Sequence, residues 1–280
     1  MTLLIVTPVR NEIANVEGLV ETVRGQTYTD FVWLVVDDGS SDGTAERLRS
    51  LDETVQIVSK QNDGGLIGGS AYTSWRFGVE TALVAGAFTH IMKLDADVRL
   101  APDYLERVVP LAAGDVGVAG GVIVTKGMRE QKLMVPGPVK LYSIEGYRAT
   151  AGMPSAIGFD VLDEVAVAGA GMRTVVDESA RFELARAIGA SEGQVHGRYR
   201  NGRVSRWTGY FFPYFLVHCA RYAFRKPYLV GSFAMLWGYA RAGVGPYDVE
   251  LRRAHSRMQR EKLVLAFRNP VSFWRRAYRA

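Results

Sequence analysis

The sequence predicts an α/β fold, a mostly parallel sheet flanked by helices, followed by an amphipathic helical region at the C-terminus. Three observations carry this. Short apolar runs alternate with segments of helical periodicity over the first half of the chain, the pattern of parallel strands joined by crossover helices. Turn and cap residues separate these segments. Beyond about residue 198 the strand-like runs stop, and aromatic and basic residues take over.

Leu3 to Val6 reads as a buried strand that ends at Thr7-Pro8. Val16, Leu19, Val20 and Val23 then recur at helical spacing, with Asn15 as the expected N-cap. Phe31 to Val36 is a second strand and runs into Asp37-Asp38-Gly39-Ser40. A helix is expected over Thr44 to Leu51, with Ser41 and Asp42 as cap candidates, and a third strand over Val55 to Val58. A Gly-rich loop follows (Gly64, Gly65, Gly68, Gly69), then a helix from about Ser74 to Ala85. His90 to Leu94 is a strand ending at Asp95-Ala96-Asp97. Pro102 suits the first turn of the next helix, and Val116 to Val124 is a further strand. Ligands of such sheets bind outside the carboxyl ends of the strands. Both acidic clusters stand there, so a single site is expected to hold them.

The chain has 280 residues, enough for one large domain with an appendage. The expected division is residues 1–205 and residues 206–280. Hydrophobic residues at 48% and charged residues at 22% exclude wholesale disorder. A single cysteine, Cys219, excludes an internal disulfide framework and a multi-cysteine zinc site, and it fits a reducing cytoplasm. The apolar start carries no basic leader and no small-residue cleavage pattern, so no signal peptide is expected.

Gly209 to Phe224 is rich in aromatics, Arg225-Lys226 interrupts before Pro227, and Tyr228 to Ala240 is apolar again. Neither stretch reaches the roughly 20 apolar residues of a membrane span. Their aromatic and basic flanks suit interfacial helices lying in a membrane surface, the alternative being helices that close the core. From Arg241 to Ala280 there are ten Lys/Arg against Asp248, Glu250 and Glu261. Such a tail attracts anionic surfaces. No nucleic-acid motif is present and the aromatics cluster with aliphatics, so lipid is expected rather than nucleic acid.

Asp95-Ala96-Asp97 offers hard oxygen ligands in a turn at a strand end, which suits Mg2+ or Mn2+ held across a diphosphate. Residues two apart in a strand share a face, so both carboxylates are expected to point into one cleft. Turn and cap chemistry accounts for Ser41, Asp42 and Gly43 but leaves the adjacent Asp37 and Asp38 over. A carboxylate there can accept the imide N–H of uracil or the amino group of guanine, or fix a ribose hydroxyl.

Thr7-Pro8-Val9-Arg10-Asn11-Glu12, the segment Asp37 to Thr44, and Asp95-Ala96-Asp97, in that order, resemble glycosyltransferase family 2, with its GT-A fold. The resemblance covers about residues 1 to 175 well and the remainder loosely. It implies that Thr7, Pro8, Val9 and Glu12 line a nucleoside pocket and that Asp37 or Asp38 reads the base. It implies that Asp95, with Ala96, faces the ribose or the metal, and that Asp97 binds the metal directly. Gly158-Phe159-Asp160-Val161-Leu162-Asp163-Glu164 ahead of Gly171-Met172-Arg173-Thr174 matches a further element of the family. That register puts Asp160 at the catalytic-base position, with Phe159 in place of the usual Glu and Asp163 or Glu164 as runner-up. His196 stands as the candidate for the C-terminal histidine that often joins the metal. Trp75-Arg76-Phe77-Gly78 only approximates the family's basic-Asn pair, which places Arg76 near the donor. Lys93 and Arg99 flank the acidic turn as phosphate contacts or as solvated charges.

The implied activity is a metal-dependent inverting transfer of a sugar from a nucleotide-diphosphate donor to a hydroxyl of a glycan or lipid-linked acceptor, at the inner face of the cell membrane. Three alternatives stand beside it. A polyprenyl-phosphate sugar synthase takes a lipid phosphate, which needs no general base. A sugar nucleotidyltransferase would show a Gly-rich basic phosphate loop after the first strand, which Pro8 to Glu12 lacks. The third is a non-catalytic nucleotide- or nucleic-acid-binding protein.

Overall fold

A computed structural model describes residues 2–62, 69–124, 134–185, 193–224 and 226–269, the side chains of 69 and 70 excepted. The strands are β1 (Leu3–Val9), β2 (Phe31–Asp37), β3 (Gln56–Ser59), β4 (His90–Leu94), β5 (Val98–Leu100), β6 (Val116–Ile123), β7 (Val139–Ser143) and β8 (Arg173–Leu184). The helices of the first half are α1 (Val16–Arg24), α2 (Thr44–Leu51), α3 (Gly69–Ala85) and α4 (Tyr104–Val108). Those of the second half are α5 (Ile144–Ala149), α6 (Phe159–Gly169), α7 (Gln194–Trp207), α8 (Phe212–Ala223), α9 (Tyr228–Arg241) and α10 (Val249–Arg268).

The strands form one sheet in the order β3-β2-β1-β4-β7-β6-β8-β5. β3, β2, β1 and β4 run parallel. β7 is antiparallel to both β4 and β6, β8 is parallel to β6, and β5 is antiparallel to β8. All strands but β5 and β7 therefore point one way, and the sheet is mostly parallel.

Strand β1 shows why both faces carry helices. Each of its residues, Leu-Leu-Ile-Val-Thr-Pro-Val, is buried. Leu3 and Ile5 pack with Leu19 and Val23 of α1 and Leu48 of α2. Leu4 and Val6 pack with Trp75 and Val79 of α3 and Leu162 of α6 on the other side. A period of two divides the strand between two cores, and a strand covered on both faces reads as a continuous apolar run.

The expected element ends shift where tertiary contacts compete with local signals. Asn15 stands at the N-cap position of α1 but does not cap it; its amide donates to Glu12 Oε2 at 2.7 Å. The N-cap of α2 is Gly43, at φ 88°, rather than Ser41 or Asp42. Pro102 precedes Asp103, the N-cap of α4, and so lies just ahead of that helix and not in its first turn. Helix α3 begins at Gly69, ahead of the expected Ser74. Gly64, Gly65 and Gly68 lie outside the described residues, as do Arg225 and the tail arginines Arg275, Arg276 and Arg279.

In the C-terminal region α7 packs on α9 backbone to backbone. A Cβ on Gly202 would stand 1.9 Å from the Met235 carbonyl oxygen, and one on Gly238 would stand 2.0 Å from that of Tyr199. Glycine alone admits this approach. Phe215, Cys219 and Met235 form a small core beside it, with Tyr239 stacked on Phe215 at 4.4 Å. α7 crosses residue 205, where the sequence suggested a division. Among the described residues no helix is long and apolar enough to cross a membrane.

Helix α10 is held to the α7–α8 turn by a buried polar chain. His255 Nδ1 donates to the Thr208 carbonyl (2.8 Å), His255 Nε2 accepts from Gln259 Nε2 (2.8 Å), and Gln259 Oε1 accepts from the Phe211 amide (2.8 Å). This chain needs a neutral imidazole. A protonated Nε2 would face the Gln259 amide donor, and turning that amide over would orphan Phe211 N–H. Burial holds His255 below its ordinary value, with the Lys262 charge adding and the Thr208 bond opposing. A folded value below the unfolded one of about 6.5 means that the unfolded chain binds the extra proton first. The stability that this chain contributes is thus complete above about pH 6.5 and is lost as pH falls toward the folded value. Thermal denaturation of the wild type and of His255→Gln should therefore converge between pH 7.5 and pH 5.5. A constant gap would show that His255 does not titrate in that window.

Candidate functional site

The carboxyl ends of β2, β1 and β4 lie side by side, with Asp37 opposite Val9 and Lys93 opposite Val6. Three segments meet at that edge: the loop after β1, the loop after β2 and the turn after β4.

The first two are laced together. The Asn11 amide donates to Ser40 Oγ (3.0 Å), that of Glu12 to Thr44 Oγ1 (2.9 Å) and that of Ile13 to Asp42 Oδ2 (3.1 Å). Asn11 Oδ1 accepts from the Ser41 amide at 2.9 Å. Asn11 holds φ at 54°, a conformation that asparagine tolerates better than most residues. The Thr44 hydroxyl, with the Ile13 and Thr44 amides, holds Asp42 below the ordinary carboxylate range. Thr7 and Val9 are turned into the core, Thr7 accepting from Trp33 Nε1 at 3.1 Å, so neither side chain lines an open pocket.

Asp37 and Asp38 take different roles. Asp37 Oδ1 accepts from the Ser40 amide (3.0 Å) and closes the turn. Asp38 faces the end of β3: its Oδ2 accepts from Asn62 Nδ2 (2.8 Å), and Lys60 Nζ stands 3.8 Å from Oδ1. Of the two, Asp38 is the one that Lys60 and Asn62 join at the end of β3.

Asp95-Ala96-Asp97 forms the tight link from β4 to β5. The Asp95 amide donates to the Pro138 carbonyl (2.9 Å), that of Val98 to the Asp95 carbonyl (3.2 Å) and that of Ala185 to the Asp97 carbonyl (2.8 Å). Ala96 is buried in the core, and both aspartates are half-buried. Lys93 pairs with Asp95 and also donates to the Gly137 carbonyl at 3.2 Å.

Asp160 stands in the first turn of α6, whose N-cap is Gly158 at φ 95°. Its carboxylate lies against Gly137, where a Cβ would come within 2.8 Å of Oδ2. Burial raises Asp160 above the ordinary carboxylate range; Lys140 and Lys93 oppose the rise and Asp163 adds to it. Burial likewise raises Asp95, with Lys93 opposing and the charges of Asp97 and Asp160 adding. Asp160 nonetheless keeps an exposed face and Asp95 a partly exposed one. Their exposure to solvent moderates both rises. Asp95 feels the charges of both Asp97 and Asp160, and Lys93 acts on Asp95 and Asp160 alike.

Asp163 is fully buried, with both carboxylate oxygens 2.9 Å from Lys140 Nζ and Oδ2 accepting from Tyr142 OH at 2.6 Å. Glu164 is also buried and takes Lys140 at 2.9 Å and the Val135 amide at 3.0 Å. Neither runner-up for the base role is placed to meet an acceptor. Arg76 donates to Glu80 Oε1 (2.9 Å) and the Met153 carbonyl (2.7 Å), tying α3 to the segment before α6. Arg99 is neither solvated nor turned outward: it donates to the carbonyls of Ala96 (3.3 Å), Val98 (2.9 Å) and Asn15 (3.3 Å) and so braces the acidic turn from behind.

The donor set fits a divalent cation of the Mg2+ or Mn2+ kind. Carboxylate oxygens are hard ligands, and Asp95 and Asp97 stand two residues apart in the turn after β4. Among the described residues no three His, Cys, Asp or Glu side chains are grouped to hold a metal. His196 lies on the exposed start of α7, its ring 6.4 Å from that of Tyr199, and belongs to no such group.

The sequence model described as Glycosyl transferase family 2 matches residues 4–150. No curated protein matches the sequence. Among solved structures, the mannosyltransferase PcManGT of Pyrobaculum calidifontis, in complex with GDP-Man and Mn2+, is 19% identical, with 97% of this chain and 82% of that chain covered and a TM-score of 0.58. TarS of S. aureus is 13% identical, with 86% and 71% covered and a TM-score of 0.52. GalNAc-T7 with UDP, GalNAc and Mn2+ is 11% identical, with 95% and 57% covered and a TM-score of 0.62. At such identities these structures speak to the fold, which is GT-A-like, a curled eight-strand sheet flanked by helices with further helices at the C-terminus. The family match spans more than half of the chain, including the first two acidic strand ends, and the chain belongs to the family 2 glycosyl transferases.

Proposed function

We propose that the protein moves a sugar from a nucleoside diphosphate-sugar to an acceptor hydroxyl, with inversion at the anomeric carbon and with a divalent cation. The observation that carries this is the placement of Asp95 and Asp97 in the turn at the carboxyl end of β4, with Asp160 of α6 near enough for its charge to act on Asp95. PcManGT with GDP-Man and Mn2+, and GalNAc-T7 with UDP and Mn2+, support the donor class by likeness of fold. Asp38, with Lys60 and Asn62, recognises the base, and the end of β1 stands beside it, the Val9 carbonyl accepting from the Asp38 amide at 2.9 Å. Asp97, with Asp95, would hold Mg2+ or Mn2+, which when bound stabilises charge on a departing diphosphate. Asp160 accepts the proton of the attacking hydroxyl. The new bond forms from that oxygen to the anomeric carbon as the bond to the diphosphate oxygen breaks and its electron pair leaves with the phosphate.

The acceptor is a glycan or a lipid-linked saccharide at the cytoplasmic membrane face. Residues 1–205 are the catalytic part, and residues 206–280, with α7 spanning the division, form the membrane-contacting part. From residue 193 to residue 247 there is no Asp or Glu against eight Lys/Arg. Arg198 lies 3.8 Å over the Tyr222 ring, Arg206 lies 5.2 Å over Tyr239 and Arg241 lies 5.4 Å over Trp237. Guanidinium groups paired with rings rather than with carboxylates keep their N–H edges for phosphate. The same basic helices favour a second reading, transfer to a polyprenyl phosphate. Val204 and Thr208 pack on Gly158, two residues ahead of Asp160, which joins these helices to the start of α6.

The test is a thermal-shift series with UDP, GDP and dTDP, with and without Mn2+. A ligand at about 100 times its Kd stabilises by about 2.7 kcal/mol. One nucleotide is expected to do so only with Mn2+, and Asp97→Ala should remove that Mn2+-dependent part. An undiminished Mn2+ effect in Asp97→Ala would sink the metal assignment.

A further inference from the structure

A buried charge cluster of Lys140, Asp163 and Glu164 lies behind Asp160. We infer that Lys140 is the positioning residue of that base, holding the first turn of α6 so that the Asp160 carboxylate stays against Gly137 and near Asp95. This rests on the reading of Asp160 as the base.

Lys140 is only 1% exposed. Its Nζ lies 2.7 Å from the Asp160 carbonyl oxygen, 2.9 Å from both Asp163 oxygens and 2.9 Å from Glu164 Oε1. Residues 160, 163 and 164 fall on one face of a helix, because i, i+3 and i+4 align. A single ammonium grips that face, and the Asp160 side chain projects instead toward Gly137. Tyr142, two residues along the same strand and so on the same face, secures Asp163 from the other side. Burial works against the charge on Lys140, but Asp163 and Glu164, with Asp160, outweigh it and hold the lysine above its ordinary value. It is a cation throughout any assay range.

The cluster is also linked to the Asp95 turn. Lys140 of β7 is the direct cross-strand partner of Lys93 of β4. Two like charges in that position repel unless each has its own acids, and each does: Lys93 holds Asp95, and Lys140 holds Asp163 and Glu164. Glu164 takes the Val135 amide, and the segment from Val135 to Pro138 returns to that turn, where Gly137 accepts from Lys93 and Pro138 accepts from Asp95. One continuous network thus fixes the distance between the metal aspartates and the base. Stability alone does not require it, because apolar replacement of a buried ion pair is often neutral or stabilising.

The experiment uses the full chain, the nucleotide selected by the thermal-shift series with Mn2+, and the matching nucleotide sugar with water as acceptor. Lys140→Met strands two buried carboxylates and is expected to lower Tm sharply. The informative variant is therefore the neutral cluster Lys140→Met/Asp163→Asn/Glu164→Gln. It should keep the wild-type Tm within a few degrees and the nucleotide affinity within about twofold, yet lose about ten- to a hundredfold in kcat, as misplacement of a reacting group does. A neutral-cluster variant with unchanged kcat overturns the inference. So does one that unfolds or loses nucleotide affinity, since the cluster is then purely structural. Asp160→Asn separates the two claims: if it retains turnover, the base reading itself has failed, and if it alone is inactive, only the role of Lys140 has.

Discussion

Asp160→Asn is expected to lower kcat by about 10²- to 10⁴-fold while leaving the affinity for the nucleoside diphosphate and Mn2+ within about twofold. The substitution keeps the shape of the side chain and removes the charge, so contacts to Gly137 and the Lys140 grip on the Asp160 carbonyl remain. What disappears is the lone pair that takes the proton. The variant should be no less stable than the wild type near pH 7, and that sets it apart from a folding defect. The folded environment raises Asp160, mainly through burial, so ionised Asp160 is disfavoured in the folded state relative to the unfolded one. A neutral amide is free of that penalty. A single-turnover assay with a nucleotide sugar, beside Tm and nucleotide titration, gives all three readings. Full turnover in Asp160→Asn would move the base elsewhere and favour the polyprenyl-phosphate reading, in which the acceptor is already an anion.

The sequence made β1 to β4 legible because each strand there ends in a turn signal and each intervening helix shows its apolar face. β7 and β8 were hidden for physical reasons. β7 is Val-Lys-Leu-Tyr-Ser, and its central lysine suggests a surface, whereas all five residues are buried. β8, Arg-Thr-Val-Val-Asp-Glu-Ser-Ala-Arg-Phe-Glu-Leu, is half polar and pairs with β6 through register shifts that no local pattern encodes. The candidate site divides in the same way. Asp95 and Asp97 were proposed from their strand end, and Asp160 from its distance to Gly171 in the register that the resemblance to family 2 implies. Asp163 could not be told from Asp160 by spacing, since what separates them is Lys140, twenty residues and more away in sequence and in contact only after folding. Lys60 and Asn62 beside Asp38 went unread for the same reason: their meaning comes from β3 pairing with β2. His196 illustrates the converse, a residue type suited to a metal that the helix α7 leaves on its exposed first turn.

Replacing Leu229, Phe233 and Trp237 together with serine is expected to lower binding to anionic vesicles by on the order of 10²- to 10³-fold without lowering Tm. These residues are 63%, 68% and 61% exposed and recur every four positions, so α9 turns one apolar edge to solvent. Full burial of three such side chains contributes about 5–9 kcal/mol, and partial immersion at the headgroup level about half of that. Phe224 and Tyr228, 85% and 56% exposed, place more apolar surface at the α8–α9 turn. Burial on the inner face explains why the fold should survive the change: Gly231, Met235 and Gly238 pack inward and are left intact. Flotation with vesicles of phosphatidylcholine alone, and with added phosphatidylglycerol, separates the two driving forces. The arginines, each contributing about 1 kcal/mol near an anionic surface, should make binding favour the anionic vesicles and weaken in salt. The apolar edge should supply a part that salt does not remove. Equal binding of wild type and triple variant would mean that this edge meets something other than lipid. If the edge does seat on a bilayer, α7 carries the consequence to the chemistry, because Val204 packs on Gly158 at the start of the helix that bears Asp160. Transfer to a lipid-linked acceptor should then fall with vesicle binding in the triple variant, while hydrolysis of the nucleotide sugar in free solution stays unchanged.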